Sequence, residues 1–152
     1  MKKVTIVCDG SSIGNGTGNA RAAACAILGY KGHWKAVAVF LGKATNQQSE
    51  IAAAEIGLKS LSEPCEVRLL SDSRYVVETM LGNFKKKTNH SWWSDLEAAA
   101  AGHRIEWEWV KGHDGHSVQE VADDIARHTA EQRGIDQHFI DEAVLGLGTI
   151  EI

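Results

Sequence analysis

Four acidic residues stand where packing alone has little use for them. Asp9 closes the β-rich apolar run Val4-Thr5-Ile6-Val7-Cys8. Gly10 lets the backbone turn away there, so the run reads as a buried strand with a carboxylate at its end. Asp72 closes a second such run, Val67-Arg68-Leu69-Leu70-Ser71. Glu50 falls in the first turn of a helical pattern and Asp123 on the flank of another. Two of these have ordinary alternatives: Glu50 complements a helix dipole, and Asp72 caps the helix that follows it. Four carboxylates brought together repel and raise one another's pKa, and divalent cations remove that penalty. Hard oxygen ligands with open positions select Mg²⁺ or Mn²⁺ over zinc. Two such ions, about 3.5–4 Å apart, activate a water and stabilise the leaving oxygen of an in-line phosphoryl displacement.

The elements that must position these acids follow from periodicity. Ala20–Leu28 and Trp34–Leu41 read as strands joined by Gly29-Tyr30-Lys31-Gly32, so the chain opens with an antiparallel meander of three strands. Ser49–Leu61 is helical, with Ile51, Ala54, Leu58 and Leu61 as its apolar stripe, and Pro64 follows it. Glu66–Ser71 is a strand leading through Ser71-Asp72-Ser73 into a helix over Arg74–Leu81, a parallel-type connection. Carboxyl ends of neighbouring parallel strands are where α/β sheets place their sites. A third helix holds Trp92 and Trp93 at its start, with Ser94 and Glu97 as its capping pair and Gly102 at its end. Arg104–Val110 alternates as a half-buried strand, with Ile105, Trp107 and Trp109 on one side. A last long helix starts at Ser117, capped by Glu120; Val118, Val121, Ala122, Ile125, Ala126 and Thr129 form its apolar face. Gln119 and Asp123 share one flank of it, while Asp124 points further round, toward solvent.

The predicted class is α/β: five strands flanked by helices, the first three an antiparallel meander and the fourth leaving by a parallel-type connection. The predicted domain is residues 1–133. Residues 134–152 form a C-terminal tail, in which Ile135, Phe139, Ile140, Val144 and Leu145 suit a short docked helix and Leu147–Ile152 an edge strand.

Composition narrows the class further. The 152 residues suffice for one domain with a substantial core, and no apolar run approaches the roughly 18 residues of a membrane span. Met1-Lys2-Lys3 leads directly into a strand, and Cys8, Cys25 and Cys65 lack metal or redox spacing. A cytoplasmic protein with reduced cysteines is expected. The net charge of −4 argues against a nucleic-acid binder unless basic residues cluster locally. One cluster exists: Lys85-Lys86-Lys87, next to Asn89, His90, Trp92 and Trp93. Lysines beside aromatics suit nucleic acid, because ammonium groups meet phosphates while rings stack; the competing use of the tryptophans is to fill the core. The glycine-rich stretch Ser11–Asn19 is a hairpin turn or a backbone-binding loop, and no Gly-Lys-Ser/Thr makes it a P-loop.

Taken together, Cys8-Asp9-Gly10-Ser11-Ser12, Thr45-Asn46-Gln47-Gln48-Ser49-Glu50, Leu70-Ser71-Asp72-Ser73-Arg74-Tyr75 and Trp107-Glu108-Trp109-Val110-Lys111-Gly112-His113-Asp114-Gly115-His116, followed by Asp123, closely resemble bacterial-type ribonuclease HI from Val4 to about Ala130. The resemblance implies that Asp9, Glu50, Asp72 and Asp123 bind two Mg²⁺ ions, with Mn²⁺ as a substitute. It implies an RNase H-like five-stranded mixed sheet, strands one to three antiparallel and strands four and five parallel to the first, and hydrolysis of the RNA strand of an RNA/DNA hybrid, giving 5′-phosphate and 3′-hydroxyl ends, by a monomer with no membrane partner. His113 matches a histidine that assists proton transfer or product release. Asn15, Asn46 and Gln47 match residues facing the minor groove and its 2′-hydroxyls, while Lys43, Thr45 and Asn89 match a DNA-phosphate pocket.

The sequence also departs from the family. The long basic handle is cut to about Gly82–Ser91, keeping only Lys85, Lys86 and Lys87, so weaker and more salt-sensitive hybrid binding is expected. Gln119, a substrate-contact candidate, stands where an asparagine is usual, and Arg74 replaces a frequent glutamine. Three other readings compete: a non-catalytic hybrid-binding module, a nuclease of the same fold acting on duplex RNA, and a zinc hydrolase using His113, His116 and a cysteine. The loop glycines Gly112 and Gly115 weaken the last, since zincins carry their histidines four apart on a helix.

Overall fold

In the computed structural model, residues 1–14, 16–112 and 117–148 are described. The elements are β1 (Lys2–Ile13), β2 (Arg21–Tyr30), β3 (His33–Gly42), α1 (Asn46–Lys59), β4 (Cys65–Ser71), α2 (Arg74–Met80), α3 (His90–Ala100), β5 (Arg104–Trp109), α4 (Ser117–Gln132) and α5 (Gln137–Leu145). The strands form one sheet in the order β3-β2-β1-β4-β5. β1 pairs antiparallel with β2, which pairs antiparallel with β3; β1, β4 and β5 run parallel. The predicted class and strand directions are those of the structure.

Alternation along β1 splits the core in two. Ile6 and Cys8 face α1 and α3, where Ile51, Ala54, Leu58, Trp93 and Leu96 are buried. Val7 faces α4, with Ile27, Leu70, Val118, Ala122, Ile125 and Ala126. α1 comes very close to the sheet. A Cβ on Gly57 would lie 2.8 Å from Ile6 Cγ2 and 3.0 Å from Ala26 Cβ. One on Gly10 would lie 2.5 Å from the backbone carbon of Ser49 and 2.7 Å from the Glu50 nitrogen.

Several boundaries differ from the expected ones, each for a physical reason. β1 does not turn away at Gly10 but continues to Ile13, because β2 pairs with it as far as Ile13↔Arg21. Gly10 is needed for close approach, not for a turn. α1 begins at Asn46, where Thr45 and Gln48 make a reciprocal capping box. Glu50 therefore lies beyond the first turn, and α1 has no acid there to complement its dipole. Ser73, not Asp72, caps α2, accepting from the Val76 amide. α3 starts at His90, with Asn89 in left-handed backbone (φ 60°) as its N-cap residue, so Ser94 is interior. The cap of α4 lies outside the described residues.

Both tryptophans of α3 serve the core: Trp93 is buried, its ring 5.2 Å from that of Tyr75, and Trp92 packs against the same cluster. The tail docks as α5. Ile140 and Leu147 are buried, the His128 and Phe139 rings stack at 3.8 Å, and His128 Nε2 lies 2.8 Å from Asp136 Oδ2. Ile135 and Leu145, expected to dock, are exposed, and Ile135 precedes the helix. Leu147 and Gly148 form a turn, and the rest of the expected edge strand lies outside the described residues.

Candidate active site

The parallel pairings stop together. β1 and β4 pair as far as Cys8↔Ser71, and β4 and β5 as far as Ser71↔Trp109. Asp9 is the next residue on β1, one past its last partner on β4, and Asp72 is the next residue after β4. Both thus emerge side by side at the carboxyl end of the parallel half of the sheet. Glu50 reaches them from α1, which the missing side chain of Gly10 lets sit against β1. Ligand atoms of Asp9, Glu50 and Asp72 all lie within 4.8 Å of one another.

The Gly10 amide ties two of them together. It donates to Glu50 Oε1 at 2.5 Å and to Asp9 Oδ1 at 2.9 Å. Burial and then the charges of Asp72 and Asp123 push the Asp9 carboxyl up to about 8. Burial and the neighbouring Asp9 likewise hold Glu50 well above the ordinary carboxylate range. This is the electrostatics of a cluster with more negative charge than its surroundings solvate.

A cleft of about 300 Å³ opens over the cluster, lined by Asp9, Gly10, Asn46, Glu50, Asp72, Ser73 and Asp123. Asp123 belongs to the cleft wall but not to the carboxylates within mutual ligand reach. Its Oδ2 accepts from Arg127 Nη1 at 3.2 Å, and the same guanidinium holds Asp124 Oδ1 at 2.5 Å. Arg127, one turn along, offers Asp123 a countercharge. Asp124 is the more exposed of the two, at 53% of its side chain against 25%.

The remaining candidates are distributed more widely. Asn46 lines the cleft, whereas Lys43, Thr45 and Gln47 are exposed beside it. Gln48 Nε2 donates to Asn89 Oδ1 at 3.1 Å, and Asn89 Nδ2 donates to the Tyr75 hydroxyl at 3.1 Å. Thr45 and Asn89, far apart in sequence, are thereby joined through Gln48, a residue that sequence reasoning passed over. Its signal was the Thr45-x-x-Gln48 spacing of a capping box. Gln119 is buried, and its side-chain amide donates to the Cys8 carbonyl at 3.2 Å, under the cleft instead of in it. Lys85, Lys86 and Lys87 are exposed, with Lys86 paired to Glu97. Asn15 and His113 lie outside the described residues, as does His116. Cys8, Cys25 and Cys65 are all buried free thiols, so the zinc-hydrolase reading finds no cysteine open to a metal. Burial pushes both the Cys8 and Cys25 thiols up, the opposite of what a thiolate ligand needs.

A mixed α/β sheet with a carboxylate cluster at the mouth of its parallel strands defines an enzyme class suited to divalent-metal chemistry. Residues 1–131 match the family model RNase H. A ribonuclease H of Tolumonas auensis is 39% identical, the match covering 91% of this chain and 98% of the relative. One from Escherichia coli is 40% identical over 86% of this chain and 90% of its own. Among solved structures, LC9-RNase H1, a type 1 RNase H with the type 2 active-site motif, superposes with a TM-score of 0.78 at 25% identity, over 94% of this chain and 81% of its own. The N-terminal RNase H domain of a Mycobacterium tuberculosis protein gives 0.71 at 27% identity, over 96% and 99%. The chain belongs to the RNase H family and is a ribonuclease H enzyme.

Proposed function

We propose that this enzyme hydrolyses the RNA strand of RNA/DNA hybrids, leaving 5′-phosphate and 3′-hydroxyl ends. Asp9, Glu50, Asp72 and Asp123 hold two Mg²⁺ ions, for which Mn²⁺ substitutes. The carrying observation is that Asp9, Glu50 and Asp72, from three distant segments, bring ligand atoms within 4.8 Å of one another. The donor set fits: it is all hard oxygen, and burial, with repulsion from Asp72 and Asp123 added to it, raises Asp9 to about 8, a penalty that cations relieve. Bound there, such ions would lower the pKa of water and neutralise charge developing on the phosphate oxygens.

The chain's own residues do the rest. The Gly10 amide fixes Asp9 and Glu50 in one orientation, and the last β1–β4 pair, Cys8↔Ser71, fixes Asp72 beside them. Water adds to phosphorus as the P–O3′ bond breaks, and the departing 3′ oxygen takes up a proton. His113 handles that proton or the release of product, since an imidazole can give or take a proton near neutral pH. Asn15, Asn46 and Gln47 read the 2′-hydroxyls; Lys43, Thr45 and Asn89 grip a DNA phosphate. The enzyme works as a monomer. Support for the substrate comes from LC11-RNase H1, which shares the fold and was solved in complex with RNA/DNA hybrid.

The test is cleavage of labelled RNA/DNA, RNA/RNA and DNA/DNA duplexes with Mg²⁺ and with EDTA. Only the RNA of the hybrid is cut, and only with the cation. Asp72→Asn lowers kcat by roughly 10³-fold, the loss of several kcal/mol of charge stabilisation. Equal cutting by parent and Asp72→Asn would remove the site assignment.

A further inference from the structure

An acidic cleft repels the phosphates it must act on, so a cation at its lip has work to do. Arg127 is occupied by Asp123 and Asp124. Arg74 is not occupied: it is exposed, directly follows the cleft residues Asp72 and Ser73, and has no ion pair among the described residues. Its guanidinium lies 5.9 Å from the ring centroid of Trp109. Trp109 ends β5, and 44% of it is exposed, although the alternation of that strand would have buried it with Ile105 and Trp107. Its indole N–H donates to the Asp72 carbonyl oxygen at 3.0 Å. One large aromatic is thus bolted to the backbone of a cleft residue and offers its face to an arginine.

We propose that Arg74 holds a substrate phosphate at the lip of the cleft and that Trp109 is its positioning residue. The inference rests on the hybrid-cleavage reading above. A guanidinium is a planar fork that takes two phosphate oxygens at once, and it binds an aromatic face by cation–π attraction. Laid on the indole, it has less freedom left to lose when phosphate arrives. Because the same indole is hydrogen-bonded to Asp72, the phosphate is held in register with the carboxylates.

The experiment compares the parent with Arg74→Ala, Arg74→Lys, Trp109→Phe, Trp109→Ala and the Arg74→Ala/Trp109→Ala double variant. It measures KM and kcat on hybrid, hybrid affinity against salt, and thermal stability. Arg74→Ala raises KM about tenfold with kcat nearly unchanged, and lowers the salt slope by about one. Arg74→Lys recovers part of the loss, since a point charge replaces a fork. Trp109→Ala reproduces most of the Arg74→Ala effect, and the double variant is little worse than either single one. Trp109→Phe, which keeps a ring but not the hydrogen bond, falls between Trp109→Ala and the parent.

Hybrids carrying neutral methylphosphonate linkages in the DNA strand, or separately in the RNA strand, identify whose phosphate is held. In one of them the difference between parent and Arg74→Ala disappears. A parent that cleaves hybrid beside an Arg74→Ala variant with unchanged KM and slope overturns the inference and leaves the hybrid reading intact. So does persistence of the difference in both neutralised hybrids. Additive Arg74 and Trp109 effects overturn the positioning role. A parent inert on hybrid overturns both readings.

Discussion

Asp9 is one residue whose protonation links the site to stability. Its folded value of about 8 lies above the ordinary 3.8, so the folded protein keeps a proton that the unfolded chain releases. The stability it contributes is fully present below about pH 4 and is lost as pH rises through about 8. In EDTA, the denaturation midpoint therefore falls between about pH 5 and pH 9 by more in the parent than in Asp9→Asn, and Mg²⁺ restores it on the alkaline side. Asp136 works with the opposite sign, its carboxyl held below the usual range by the hydrogen bond with His128. The difference between parent and variant, not the parent alone, is thus the readout. At this scale the sequence showed which acids had no packing role. It did not show that Asp123 is held by Arg127, although Arg127 stands one helical turn further on.

Among the elements, α1 does most for the site, because it carries Glu50 to a sheet that Gly10 leaves open to it. Its start is fixed by Thr45, whose side chain accepts from the Gln48 amide at 3.1 Å while Gln48 Oε1 accepts from the Thr45 amide at 3.0 Å. Thr45→Ala removes that box and lowers unfolding free energy by about 1 kcal/mol, measured by denaturant titration. The helix itself was legible from its apolar stripe. Its first turn was not, because Asn46, Gln47 and Gln48 are polar and carry no periodic signal. β1 shows the converse failure. Gly10 looked like a turn locally, but a glycine that admits a neighbouring helix and one that ends a strand are the same letter.

On the scale of the whole molecule, charge is segregated. The chain carries −4 overall, with carboxylates gathered at the cleft and Lys85, Lys86 and Lys87 exposed between α2 and α3. Lys86 is paired with Glu97, which leaves Lys85 and Lys87 freer to meet phosphate. Replacing all three lysines with alanine reduces the slope of log affinity against log salt by about 1.5–2, two phosphates' worth instead of three. An unchanged slope, read by titrating hybrid at several salt concentrations, would sink the phosphate role of this loop.

By itself, the sequence determined the antiparallel meander, the parallel-type step into the helix after the fourth strand, the apolar stripes of the helices and the four acids set apart from them. These are written in local periodicity and residue type. Only the tertiary structure decided that three of the acids meet within ligand reach, that Gln119 supports β1 from beneath the cleft, and that Trp109 is turned outward to Asp72. Each of those depends on which segments the sheet brings together across tens of residues. Pairing partners and close approaches between segments so far apart are properties of the folded chain, and no local pattern records them.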